Sequence, residues 1–292
     1  MPKYSQLMQH IEFFHIDHFD NDYHRVEPAK GLEGFIDFFW ETKFEDLLQQ
    51  HPEGFSDALF PNIGYTYLIN LGTPFVMQVG DKKFNMKTDG FLPRNKAIEC
   101  YHREGNKLFG IKFKISPIIY KTKVNFAEYR EYIYPLSYLM EQSVIDKVKK
   151  AATFEERIET LNTYFQSIIK MYSGSWEAIR IVSEILQHCD VKNDFTTSVE
   201  EFAKKYKISA RTLHRYFETT TSLSSKKALQ ILRIRKAVKH LSDSPGDFNY
   251  GIYGYYDYSH FCKHLKKFLQ KDTINNLKPH LQLLQSRKVN KA

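Results

Sequence analysis

Arg211, Thr212, His214 and Arg215 follow Ser209 closely, and Tyr258, Ser259, His260 and Lys263 follow Asp257 in the same manner. A guanidinium is a planar fork of donors that matches a guanine edge or a phosphate, and a threonine suits a phosphate or a thymine methyl. Neither histidine has convergent ligands or a nucleophile beside it, so metal or acid–base chemistry at His214 and His260 is disfavoured. The chemistry on offer is recognition of a polyanion.

The charge distribution agrees. The 292-residue chain carries a net +8, yet residues 196–292 hold 19 Lys/Arg against 7 Asp/Glu, a balance of +12. Residues 1–195 hold 23 against 27, a balance of −4. Such asymmetry is expected when one end meets a polyanion, and by itself it does not separate DNA from RNA or an anionic membrane. Cys100, Cys189 and Cys262 are scattered and odd in number, which favours reduced, buried thiols and a cytoplasmic location over a disulfide framework. No apolar run at the start suits a signal peptide, and none elsewhere suits a membrane span.

The elements that must position these side chains are legible. Ser198-Val199-Glu200-Glu201 is a capping box, and Val199, Phe202, Ala203 and Tyr206 form one apolar stripe behind it. Lys207-Ile208 breaks the helix. Ser209 caps a second one, with Leu213, Tyr216 and Phe217 turned inward and the polar residues outward. Two short helices across a tight turn fit a helix-turn-helix. Residues 225–241 predict a long helix with Ala228, Ile231, Leu232, Ala237 and Leu241 on its apolar side and Lys226, Lys227, Arg233, Arg235, Lys236 and Lys239 elsewhere. Beyond Pro245-Gly246 the pattern returns: Asp257 repeats Ser209, Phe261 repeats Leu213, Lys263 repeats Arg215 and Leu265 repeats Phe217, each 48 residues on.

With Ser209–Phe217, the linker run Leu232–Ala237 and the Gly254–Phe268 run, the segment 196–270 resembles the AraC/XylS family of bacterial transcription regulators. The resemblance implies two recognition helices in successive major-groove segments of double-stranded DNA. It assigns Arg211, His214 and Arg215 as readers in the first unit and Ser259, His260 and Lys263 in the second, with Tyr258 beside them. The helix N-termini at Ser209 and Asp257 would add phosphate contacts. It also implies RNA polymerase as a partner. The chain departs from the family at Ser222, where a turn glycine is usual, and at Ser225, where proline is common. The segment Phe248–Tyr253 makes a poor helix, and the usual Gly-x-x-Pro ending is absent near Lys271-Asp272-Thr273.

Ahead of this segment the chain reads as strands. Tyr65–Leu71, Phe75–Val79 and Lys83–Met86 predict a strand and a hairpin, and Leu108–Ile115 alternates as a half-buried strand does. Stretches such as Phe60–Gly72 and Gly110–Phe113 resemble the cupin-like domain that family members carry for effector binding or dimerisation. After Pro135, Phe154, Ile158, Leu161, Phe165 and Ile168 mark a helix face, and Trp176 to Leu186 mark another. These helices suit packing on the barrel or a subunit interface.

The expected fold is α+β: a β-rich cupin-like barrel over 1–134, a helical connector over 135–195, and an all-α double helix-turn-helix domain over 196–292. The expected function is sequence-specific DNA binding, as activator or repressor, coupled to an effector or to homodimerisation. Two other classes compete: an interaction protein with degenerate helix-turn-helix units, and a metal-dependent cupin enzyme with a basic tail. His102 with Glu99 and Glu104 falls short of a cupin ligand set, and His10, His15, His18 and His24 read as surface histidines ahead of the strands. Neither metal nor cofactor is expected.

Overall fold

The structure is a computed structural model and describes residues 7–117, 126–129 and 132–269. The atypical ending near Lys271 lies outside the described residues, as does the rest of 270–292.

Among the described residues, eleven strands build the front of the molecule: β1 (Met8–Ile11), β2 (Tyr23–Val26), β3 (Ile36–Thr42), β4 (Phe55–Leu59), β5 (Tyr65–Asn70), β6 (Phe75–Val79), β7 (Lys82–Met86), β8 (Gly90–Pro93), β9 (Ile98–His102), β10 (Leu108–Phe113) and β11 (Tyr134–Pro135). They pair as two open sheets, β1-β4-β9-β6-β7 and β11-β8-β5-β10-β3-β2. The expected barrel is therefore corrected to a sandwich. No ladder joins the edges of one sheet to the other among the described residues, because from β4 to β10 the chain crosses between the sheets instead of running round one of them. The inner faces meet through Leu68, Leu92 and Leu108 of one sheet and Phe75, Met77, Ile98 and Cys100 of the other.

Two short helices, α1 (Ile16–Asn21) and α2 (Glu45–Gln50), lie on the connections of the sandwich. Behind it come α3 (Gln142–Lys150) and α4 (Phe154–Met171), the latter opened by a Thr153/Glu156 capping box. Their apolar faces cover the outer side of the second sheet: Ile145, Val148, Ile158, Leu161 and Phe165 pack on Phe39, Tyr67, Phe109, Ile111 and Phe113. This cover corrects the reading of Leu108–Ile115 as half-buried. Every residue of β10 is buried, Lys112 included, since Phe109, Ile111 and Phe113 face the helices and Leu108, Gly110 and Lys112 face the sandwich interior.

The remaining helices are α5 (Glu177–Lys192), α6 (Val199–Lys205), α7 (Ala210–Thr221), α8 (Ser225–Asp243) and α9 (Tyr258–Leu269). Ile181, Val182 and Ile185 of α5 join Phe202, Ala203, Leu213, Phe217, Ala228 and Ile231 in one core, which also takes in Ile63 and Ile115 from the front. A second core collects Ile234, Ala237, Val238 and Leu241 of α8 with Phe261, Leu265 and Phe268 of α9, and with Ile11, Ala58 and Phe60 of the sandwich. Helix α8 thus belongs to both cores. The three cysteines are free thiols, with Cys100 and Cys189 buried.

Polar contacts pin the same junction. Arg235 of α8 donates Nη2 to Glu12 Oε1 at 2.7 Å and Nη1 to the Pro61 carbonyl at 3.0 Å, while Glu12 Oε2 accepts from Phe60 N at 2.8 Å. Burial pushes the Glu12 carboxyl up, but Arg235 and then Arg94 outweigh it and hold it below the usual range. Breaking a largely buried pair from one side strands the other charge, so Glu12→Ala is expected to cost about 3 kcal/mol in chemical denaturation. A double substitution with Arg235→Met is expected to recover most of that loss.

Candidate nucleic-acid interface and interior cavity

The expected repeat is realised in three dimensions. Ser198 and Glu201 complete the capping box of α6, with Glu201 N donating to Ser198 Oγ at 3.2 Å and Ser198 N to Glu201 Oε2 at 2.7 Å. Lys207 turns the chain with a φ of 56°, a left-handed conformation. Ser209 Oγ then accepts from Thr212 N at 3.0 Å and opens α7. Asp257 does the same for α9, its Oδ1 accepting from His260 N at 2.6 Å. Leu213 and Phe217 are buried in one unit, Phe261 and Leu265 in the other, as the 48-residue offset requires.

Of the sequence-derived candidates, Ser209, Arg211, His214, Arg215, Asp257, Ser259, His260 and Lys263 are exposed. The Thr212 side chain is half-buried, and its hydroxyl is hydrogen-bonded to Ser209 Oγ at 2.9 Å. Tyr258 is half-buried against Tyr250 and Phe261. His214 reaches Ser225 Oγ through Nδ1 at 2.7 Å.

The departures from the family pattern acquire reasons. Ser225 stands at the first position of α8, where a proline would fit, and its hydroxyl anchors His214. Ser222 ends α7 at a φ of 61°, the conformation that favours glycine. Its hydroxyl donates to the Phe126 carbonyl at 2.6 Å and meets Tyr65 Oη of β5, a link from α7 to the sandwich that glycine lacks. Ahead of α9 there is only a single 3-10 turn over Tyr250–Tyr253, ended by Gly254 at a φ of 70°. The second unit therefore lacks the counterpart of α6.

Of the basic residues of α8, Arg233, Arg235 and Lys236 are engaged with other parts of the molecule, whereas Lys226, Lys227 and Lys239 are exposed. Arg233 stacks on the Tyr255 ring at 3.7 Å, Lys236 pairs with Asp190 at 3.3 Å and Lys239 with Asp243 at 2.8 Å, beside the Arg235–Glu12 pair. Sequence reasoning counted these with the cations of the basic rear. Only the Lys239–Asp243 pair follows from helical spacing; the partners of Arg233, Arg235 and Lys236 lie far off in the chain.

Sequence reasoning also missed a cavity of about 510 Å³ between the sheets, reaching α8. Leu68, Met77, Leu92, Ile98 and Leu108 make its apolar wall, while Arg94, Lys112 and Arg235 stand with Glu12 and Asp37 on its polar side. Lys112 Nζ donates to the carbonyls of Ile63 at 2.6 Å and Phe113 at 2.9 Å, with no ion-pair partner among the described residues. Arg94 Nε is buried and lacks an acceptor. Burial, and then the nearby Arg94, lower the Lys112 ammonium from 10.5 to about 7.

The surface reading of the early histidines is also corrected. His10 lies in β1 and His18 in α1, both buried, whereas His15 and His24 are half-buried. Strand β1 pairs in parallel with β4 and α1 packs over it, which takes both rings into the interior.

No protein-family model matches the chain, and no curated protein does. Among solved structures, ToxT from Vibrio cholerae is 11% identical at a TM-score of 0.42, over 78% of this chain and 93% of that one. ToxT bound to an unsaturated fatty acid is 12% identical at a TM-score of 0.37, over 73% and 87%. The AraC-like transcriptional activator CuxR is 9% identical at a TM-score of 0.27, over 76% and 89%. Scores this low leave the functional reading to the residues themselves.

The Lys112 shift has a consequence for stability. The folded protein loses this proton near pH 7 while the unfolded chain keeps it to about 10.5, so the unfolded state binds more protons between these values. Stability should rise with pH through that window, and the slope should flatten in Lys112→Met. Urea midpoints of the two proteins at pH 6, 7.5 and 9 measure the difference.

Proposed function

We propose that the chain is a sequence-specific DNA-binding transcription regulator of the AraC/XylS kind, with α7 and α9 as its reading helices. The observation that carries this reading is the repeated design of those helices. Each is capped by a side-chain acceptor, buries two apolar residues one turn apart, and turns a basic side chain (Arg215 or Lys263) outward at the same position of the repeat. A solvated helical hairpin needs no such repetition. Arg211 and Arg215 are the stronger readers because α7 stands on a complete helix-turn-helix, and the second unit contributes chiefly phosphate contacts through His260 and Lys263. The unit that reads DNA begins with α5, whose apolar face lies in the core of α6 and α7.

The cavity supports a ligand-responsive regulator. Its apolar wall and its cationic end suit a small molecule with an apolar body and one anionic group, seated on Arg94 and Lys112. Such a ligand would also touch Arg235, and so reach α8 directly. Subunit pairing and a contact with RNA polymerase remain part of the proposal by resemblance alone.

Removing Arg211 and Arg215 together is expected to weaken binding to a selected genomic duplex by about 1–3 kcal/mol for each base that is no longer read. The slope of log affinity against log salt should fall by about 0.9 for each phosphate that is no longer neutralised. Fluorescence anisotropy at several salt concentrations reads both, and unchanged affinity and slope would refute the assignment. For the cavity, a medium-chain carboxylate should bind wild type more weakly as pH rises above about 7, because Lys112 must take up a proton. That pH dependence should vanish in Lys112→Met.

A further inference from the structure

Three imidazoles surround one buried carboxylate of the first sheet, which Tyr23 of the cavity wall also contacts. Asp57 of β4 is fully buried, and the parallel register sets His10 of β1 opposite it. His18 Nε2 lies 2.8 Å from Asp57 Oδ1, and His10 Nδ1 lies 3.4 Å from the same oxygen. One donor atom from each of His10, His18 and Asp57 falls within 4.8 Å of the other two. On the second oxygen, Tyr23 Oη donates at 2.5 Å and His102 Nε2 stands at 3.2 Å.

Two features of this cluster go beyond a hydrogen-bond network. His10 Nδ1 and His102 Nε2 are buried and meet the carboxylate only through long, poorly aligned contacts of 3.4 and 3.2 Å. Buried polar atoms are rarely left so poorly aligned, and a nitrogen held this far from an anion leaves room for a cation that bridges the two. The outer contacts are those that orient metal-ligating histidines. Asp22 Oδ2 stands 2.8 Å behind His18 Nδ1 and fixes the ring so that Nε2 points at Asp57 Oδ1, where an ion would replace the Nε2 proton. Asn106 Oδ1 stands 2.7 Å behind His102 Nδ1, with its amide nitrogen directed to the Thr73 carbonyl.

We propose that His10 Nδ1, His18 Nε2 and Asp57 Oδ1 form a site for a divalent transition-metal ion of the zinc class. Two imidazoles and a carboxylate are the donor set such an ion takes, and the fourth position falls to water or to His102 Nε2. The His10 and His18 rings stack at 3.7 Å and 10°, so coordination tilts them until both lone pairs converge. The ion would fasten β1 and α1 to β4. The chain between His10 and His18 carries Glu12 and Phe13, which hold Arg235 of α8 by an ion pair and by ring contact. Metal occupancy would therefore stiffen the contact between the sandwich and the helical units. None of this depends on DNA being the partner of those units.

The test uses the full chain, stripped with a chelator and titrated with Co2+ and then Zn2+. One equivalent of Co2+ should bind with the visible absorption of a low-coordinate site, Zn2+ should displace it, and the melting midpoint should rise with either ion. His10→Gln should weaken Zn2+ binding on the order of 100-fold or more while keeping the native circular dichroism, because His10 Nδ1 has only a long, poorly aligned contact to lose. Asp57→Asn should abolish binding, and His51→Gln, outside the cluster, should leave it unchanged. Failure of the wild-type chain to bind a stoichiometric ion would overturn the proposal. So would a folded His10→Gln with wild-type affinity, or a midpoint that answers to pH but not to metal, which would assign the cluster to protons alone.

Discussion

A guanidinium drawn into a protein interior must find acceptors for its donors, and it does not escape the cost by losing its proton. Arg235 meets that demand where α8 meets the sandwich, with Glu12 just after β1 and the carbonyls of Phe60 and Pro61. The helix that carries it is the shared spine of the rear: Ala228 and Ile231 lie in the core of the first helix-turn-helix, Ile234, Ala237 and Val238 in that of the second. Fixing Arg235 therefore fixes where both units stand on the sandwich. The Ser222 hydroxyl, lodged between Phe126 and Tyr65, repeats the principle at the end of α7.

The junction also sorts the basic residues into two groups. Arg233, Arg235 and Lys236 of α8 are held by Tyr255, Glu12 and Asp190, so they build the molecule, while Lys226, Lys227 and Lys239 are exposed. Arg211, Arg215 and Lys263 stand exposed on the flanking helices and remain available to a polyanion. A net charge counted along the rear segment mixes the two groups, and the number of phosphates the chain can engage is smaller than that count suggests.

The rear was legible in the sequence because its signals are local. A capping box, a stripe at helical spacing and a repeat of 48 residues each need only a short window, and the helices fell where those signals placed them. The front was legible only as strands. Whether strands close into a barrel or stack as two sheets depends on pairings such as β4 with β9 and β10 with β3, between residues far apart in the chain. The same distance hid the interior chemistry. Lys112 reads as a surface lysine until α4 covers its strand from one side and β6 and β9 from the other, and His18 reads as solvated until it meets Asp57, 39 residues on.

The central claim, that α7 and α9 read one duplex together, is tested most directly by hydroxyl-radical footprinting on a duplex selected from genomic fragments. Two reading helices on a common spine should protect two patches on one face of the DNA, about one helical turn apart. Charge removal at Lys263 should clear one patch and leave the other. A salt-sensitive association that protects no defined patch on any selected duplex would contradict the account.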